Sequence, residues 1–226
     1  MLRLICTNAL AAALRELIPA FERESGQQVA VSYKSTNQII DLVKGGEAAD
    51  LLIAGRAAIE ELAAAGKIGG ETRVDLASSR IGVCVKAGAP KPDISTVEAF
   101  KRALLAAKSV AHTRTGQSGS YFAALIDRLG IGDQVRAKAK VSAGGIIGEF
   151  VARGEAELGI QQISEVLAVP GVELAGPLPA EIQKATVFSA AICAGAKIPE
   201  TARALIAYLA SPSARQVMRT RGLDPA

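Results

Sequence analysis

The stretch "VSYKSTNQIIDLVKGGEAADLLIAG", residues 31–55, reads as the end of one strand, a helix and a second strand in immediate succession. Val29 to Tyr33 is a short strand-like run, broken at Lys34-Ser35-Thr36-Asn37-Gln38. An apolar helical pattern starts at Gln38 and stops at Gly45-Gly46, and Asp50 to Ala54 is again strand-like. The polar break has two readings. Ser, Thr and Asn at a helix start are ordinary caps. They are also what an anion site uses, because helix N-termini leave N–H groups unpaired and carry partial positive charge.

The same alternation extends in both directions, which predicts an α/β architecture. Upstream, Leu2 to Cys6 is a buried strand, and Leu10, Leu14, Leu17, Ile18 and Phe21 form a helical stripe closing at Gly26. Pro19 lies inside that stripe and is expected to kink the helix or mark a restart. Downstream come a helix over Ile59 to Ala65, a strand in "RIGVCVKAGAPKP", and the helix "STVEAFKRALLAAK" with Ser95 as N-cap and Glu98 three residues on. Strands follow at Ser109 to Thr113, Lys140 to Ser142, "AELGIQQIS" and "ATVFSAAICAG", with helices "YFAALIDRLG" and "AGGIIGEFVARG" among them. Two helices close the chain, the second opened by the N-cap and N1 pair Ser211-Pro212. A break near 77–80 and a return near 188–194 would divide the chain into lobe I (1–79 plus 190–226) and lobe II (80–189).

The chain has 226 residues, half of them hydrophobic and 21% charged, a soluble globular composition with room for a substantial core. Its formal charge of +4 is not concentrated in any Lys/Arg run; Trp is absent and aromatics are 4%, which argues against a nucleic-acid partner. No apolar run reaches the about 20 residues of a membrane span. Cys6, Cys84 and Cys193 are far apart, form no CxxC and lie in apolar runs, so buried free thiols are expected rather than a zinc site or disulfides. No metal or cofactor is implied. "MLRLICTNALAAALREL" has a basic start and an apolar middle but no convincing cleavage site, and reads as the first strand and helix. The compartment is periplasmic if a signal peptide has been removed and cytoplasmic otherwise.

Four strand-to-helix turns share one chemistry: "CTNA" at 6–9, "KSTNQ" at 34–38, "TRTGQSGS" at 113–120 and "SAGG" at 142–145. Hydroxyls add donors to the helix N-termini, and glycine lets backbone N–H groups approach a ligand closely. Any one of them is explained by capping. Four strand ends of this kind in one α/β chain make an anion-binding cleft credible.

Several segments resemble molybdate-type periplasmic solute-binding proteins. They are "ALAAALRELIPAFERESGQQVAVSYKSTNQIIDLVKGGEAADLLIAG", "VARGEAELGIQQISEV", "VPGVELAGPLPAEIQKATVFSAAICAGA" and "ARALIAYLASPSARQVMRTRGL". The resemblance covers nearly the whole chain in order. It implies a type II periplasmic-binding fold, with two α/β lobes, two crossings and a ligand cleft between the lobes, in a monomer. It also implies an oxyanion ligand and an ABC-transporter membrane complex as partner. Carried over by position, the ligand contacts fall on Thr7 and Asn8, on Ser35, Thr36 and Asn37, on the loop Ser118-Gly119-Ser120, and on Gly144-Gly145-Ile146, with Arg114, Thr115 and Gln162 as further candidates. The family's serine in the first turn aligns with Ala9, and its tyrosine with Gln162. Arg114 stands where the molybdate pattern uses neutral donors. These departures point from molybdate toward a carboxylate.

Individual residues keep two readings. Arg114 is a solvent-facing loop residue or a planar fork for a carboxylate. Lys34 is a solvated strand-end lysine or a ligand contact. Gln161 and Gln162, in an apolar strand, need partners if buried, and the strand period turns one of them toward the cleft. His112, the single histidine, is a structural group or a proton-transfer group. The last reading matters because the "GEAELGIQQIS" and "GPLPAE" pattern also resembles a branch containing aconitate isomerase. On that alternative His112 or Lys34 would supply the base, and Arg114 with the helix N-termini would hold the carboxylates. A regulator's effector-sensing module is a third class, against which the lack of a DNA-binding segment argues.

Overall fold

A computed structural model describes residues 1–226. In chain order the elements are β1 (Leu2–Thr7), α1 (Ala11–Ser25), β2 (Val29–Lys34), α2 (Thr36–Lys44), β3 (Leu51–Gly55), α3 (Arg56–Ala64) and β4 (Val74–Lys86). Next come α4 (Val97–Ala106), β5 (Val110–Thr113), α5 (Gln117–Arg128), α6 (Gly132–Arg136), β6 (Ala139–Ser142), α7 (Ile147–Ala152), β7 (Leu158–Gln162), α8 (Ile163–Val166) and β8 (Val172–Pro177). The chain closes with β9 (Ala185–Ile192), α9 (Pro199–Leu209), α10 (Pro212–Thr220) and β10 (Asp224–Pro225). No helix is long and apolar enough to cross a membrane. Contacts divide the chain into two compact units, Met1–Ser78 with Thr186–Ala226, and Ser79–Ala185.

In the first unit β1 lies between β2 and β3 and is parallel to both, with Cys6 opposite Tyr33 and Ile53. β9 runs antiparallel to β3, and β10 antiparallel to the start of β4. Strand periodicity sends alternate side chains to opposite faces. Leu4, Cys6, Leu51 and Ile53 enter one core with Leu14, Leu17 and Phe21 of α1 and Leu205 and Leu209 of α9. Ile5, Leu52 and Ala54 enter the other with Ile39 of α2 and Ile59 and Leu62 of α3. Covered on both faces, the parallel strands can be almost wholly apolar, as "LLIAG" is.

The second unit repeats the plan. β5 is parallel to β6 and β7, and β7 is antiparallel to β4. On its other side β4 pairs antiparallel with β8, with a register shift between Val83 and Cys84. Ile81, Val83, Val110 and Ile160 pack with Phe100 of α4 and Phe122 and Leu125 of α5. Cys84 and Ala111 pack with Ile147 and Val151 of α7 and Val166 of α8. All three cysteines are buried and unpaired.

Several local expectations are corrected. α1 runs through Pro19 without a restart; Pro19 is on the exposed face while Leu14, Leu17, Ile18 and Phe21 anchor the opposite one. α2 begins at Thr36 and α3 at Arg56, each earlier than the apolar pattern suggests. The cap of α4 is Thr96, whose Oγ1 accepts from Ala99 N–H at 3.1 Å. Ser95 is taken instead by Asp93, whose carboxylate accepts from its hydroxyl at 2.7 Å and its N–H at 3.0 Å. β4 is one strand of 13 residues through the polar Ser78-Ser79-Arg80 segment. β8, not among the strands read from sequence, is present because Leu174 and Val172 pack on the Val151 core and its backbone pairs with β4.

Candidate functional site

The first unit gathers three strand ends. β1, β2 and β3 are parallel, and each passes at its C-terminal end into a helix or helical turn. The register sets Thr7 opposite Lys34, so the two first-lobe turns are neighbours. Thr7 is buried and its hydroxyl makes no capping bond; Asn8, half-buried, opens the 3-10 turn that feeds α1. Ser35 and Gln38 form a reciprocal capping box. Ser35 Oγ accepts from Gln38 N–H at 3.4 Å, and Gln38 Oε1 accepts from Ser35 N–H at 2.9 Å. A hydroxyl both accepts and donates, so capping and donation to an anion are compatible. Thr36 is buried and Asn37 half-buried in the first turn of α2. Lys34 lies on the α2 flank, lining a surface pocket with Arg3, Ser32, Leu42 and Glu47.

The third strand end was not singled out from sequence. Arg56 opens α3 and pairs with Asp75, which also accepts from the Ser189 hydroxyl. Partial burial acts to raise the Asp75 carboxyl, but Ser189 and Arg56 outweigh it and hold it below the ordinary carboxylate range. The signal available was a strand ending in Gly-Arg, as weak as any lone arginine.

In the second unit β5, β6 and β7 are again parallel, and their C-terminal ends carry the remaining predicted residues. Thr113 is buried, and its Oγ1 makes no hydrogen bond beneath the first turn of α5. That turn approaches so closely that a Cβ on Gly119 would stand 1.9 Å from Thr113 O. Ser118 is buried beside it, and Ser120 Oγ donates to Arg114 O at 3.3 Å. Arg114 is tied to β6 through its backbone, its N–H donating to Ser142 O at 2.7 Å, while Thr115 Oγ1 donates to Ala143 O. The Arg114 side chain is exposed and enters no ion pair.

The glycine turn after β6 is held from β7. Gln161 Oε1 accepts from Ile147 N–H at 2.7 Å, and Gln161 Nε2 donates to Gly145 O at 2.9 Å. Gly145 adopts φ +93°, a conformation that favours glycine. Gly144 and Ile146 are half-buried on either side of it. Gln162, one residue on and facing the opposite side, is also buried. A further acid, Glu165, sits buried in α8 next to this amide; an acidic residue within the apolar run "QQISEV" was its only sequence signal.

His112 is buried with its ring against Phe122, centroids 5.2 Å apart, in the core that also holds Val110. Its Nδ1 lies 3.0 Å from Thr113 O. A carbonyl only accepts, so Nδ1 carries the proton and Nε2 the lone pair in the neutral ring. Burial lowers its pKa, more than the Thr113 bond raises it, which keeps it neutral. Among the thiols, burial pushes Cys84 up to about 11 and Cys193 to about 12, so neither is a nucleophile near neutral pH.

Residues 2–224 match the family model of bacterial extracellular solute-binding proteins. Over 230 aligned residues, 99% of this chain and 87% of the other, the sequence is 38% identical to an aconitate isomerase from Pseudomonas sp.. In fold the chain is similar to the periplasmic molybdate-binding protein of Azotobacter vinelandii, with TM-score 0.82 and 17% identity over 99% of this chain and 98% of that one. It is similar also to a sulfate-binding protein from Mycobacterium tuberculosis, with TM-score 0.80 and 19% identity over 100% and 86%. The fold is the type II periplasmic-binding fold. With two units of parallel strands that end in polar and glycine turns, and a family model spanning nearly its whole length, this chain belongs to the bacterial extracellular solute-binding proteins.

Proposed function

We propose that the protein binds a small organic polycarboxylate at its polar and glycine-rich strand-end turns. The candidate contacts in the first unit are Thr7, Asn8, Ser35, Thr36 and Asn37; those in the second are Arg114, Ser118, Ser120 and the Gly144–Ile146 turn. Arg114 carries the reading. It is an exposed guanidinium without an ion pair, set between the start of α5 and the end of β6. Such a fork matches a carboxylate in two-pronged fashion. Export to the periplasm and delivery of the solute to an ABC-transporter membrane complex belong to the same reading, by analogy with the family.

A second reading is favoured by the relative that is 38% identical and named aconitate isomerase. Isomerisation of a tricarboxylate of that kind removes a proton from the methylene carbon, shifts the electron pair through the double bond, and returns a proton to the former vinyl carbon. Of the two bases considered, Lys34 is half-buried at a strand end and His112 is packed against Phe122. Binding therefore stands first. One experiment addresses both readings: incubate the protein with trans-aconitate in D2O and follow the vinyl proton by NMR. Line broadening without exchange supports a binding protein, and broadening with loss of the vinyl signal and appearance of the cis isomer supports the isomerase. Unchanged lines at millimolar ligand would reject aconitate for both.

A further inference from the structure

Glu165 is a buried carboxyl, 8% exposed, at the third position of the short helix α8. It accepts hydrogen bonds from the Gln162 backbone N–H and from the Gln161 side-chain amide. The first of these is the reach-back of a capping box, which an exposed glutamate makes equally well. Burial and the second bond go beyond capping. The same Gln161 nitrogen donates to Gly145 O, and the same amide's oxygen accepts from Ile147 N–H. One side-chain amide, bonded to the glycine turn through both its oxygen and its nitrogen, therefore stands beside the carboxyl. We propose that Glu165 is a positioning residue for the Gly144–Ile147 turn, and that the turn takes an anion more tightly when this carboxyl is protonated. The second half of the proposal rests on the turn being a ligand contact, as argued above.

The physical case is electrostatic. No cation offsets the carboxyl: β7 carries no charged residue, and the charged groups of the other packed elements face water. Glu149 of α7 and Arg153 at its C-cap lie 3.9 Å apart in an exposed pair, and Glu173 of β8 pairs with Lys91 at 3.0 Å. None of these is among the groups acting on Glu165. Burial raises its pKa, the Gln162 and Gln161 bonds offset only part of that, and the value is pushed up to about 8. Below that pH the group is neutral and the amide clip faces no net charge. Above it, a desolvated negative charge sits one amide behind the turn and opposes an incoming anion through poorly screened protein. Linkage gives the sign: anion binding favours the protonated form, so affinity falls as pH rises through about 8, and a proton is taken up on binding there.

The test uses the whole chain, wild type and Glu165→Gln. Amide signals of Gly145 and Ile147 are followed by NMR without ligand from about pH 6 to 10, and trans-aconitate affinity is measured by calorimetry across the same range. The expected result is a shared midpoint near 8 for both amides in the wild type and none in the variant. Wild-type affinity should drop roughly tenfold over that range, within the usual size of coupling between sites, and stay flat in Glu165→Gln. Amides that do not titrate in the wild type overturn the proposal without any ligand or variant. So does an affinity independent of pH. If trans-aconitate does not bind at any pH, the carboxylate reading fails, and the amide titration still decides the positioning role.

Discussion

At the scale of single residues, placement rather than type decides a role. His112 and Arg114 are two positions apart, yet one is packed on Phe122 and the other is exposed without an ion pair. Sequence left both with two readings, because neither a histidine nor an arginine at a strand end says which face it takes. Arg114→Ala is expected to weaken tricarboxylate binding by about 10- to 150-fold, the worth of a charge-assisted hydrogen bond of about 1.5–3 kcal/mol. Calorimetry measures it, with circular dichroism expected to be unchanged because the side chain holds nothing in the fold. An unchanged affinity would make Arg114 a surface residue only.

At the scale of elements, strand and helix starts were legible where polarity and apolar period change together. Ser35 is the clearest case, reading as a cap and forming a full capping box. Legibility failed where two polar residues compete. Ser95 satisfies the capping pattern, but Asp93 engages it and the cap passes to Thr96. β8 was missed because "VELAGP" lacks alternation, its burial being set by a partner strand distant in sequence. The junction of β5 with α5 depends on one glycine. Helix propensity alone would make Gly119→Ala stabilising by about 1 kcal/mol. The new Cβ would meet backbone oxygen at 1.9 Å, which no side-chain rotation relieves. The clash should win, giving a net loss of about 2 kcal/mol or more in denaturant unfolding, together with weaker ligand binding. A gain in stability would show that the helix start can move freely.

At the scale of the molecule, each unit is a mixed sheet with three adjacent parallel strands, covered on both faces, and the polar C-terminal ends of those strands lie at one edge. The α/β class was legible because nearly every strand is followed by a helical stripe. The identity of the ligand was not, because helix N-termini and hydroxyls accept any small anion. The proteins this chain is similar to in fold or sequence carry names that include molybdate, sulfate and aconitate, so fold alone does not choose among them. The proposed choice rests on Arg114, which stands where the molybdate pattern uses neutral donors, and on Gln162 in the place of the family's tyrosine. Calorimetric titration of the same protein with trans-aconitate and with molybdate tests this most directly. The expected result is saturable binding of trans-aconitate that molybdate does not displace; tight molybdate binding with no response to the tricarboxylate would contradict it.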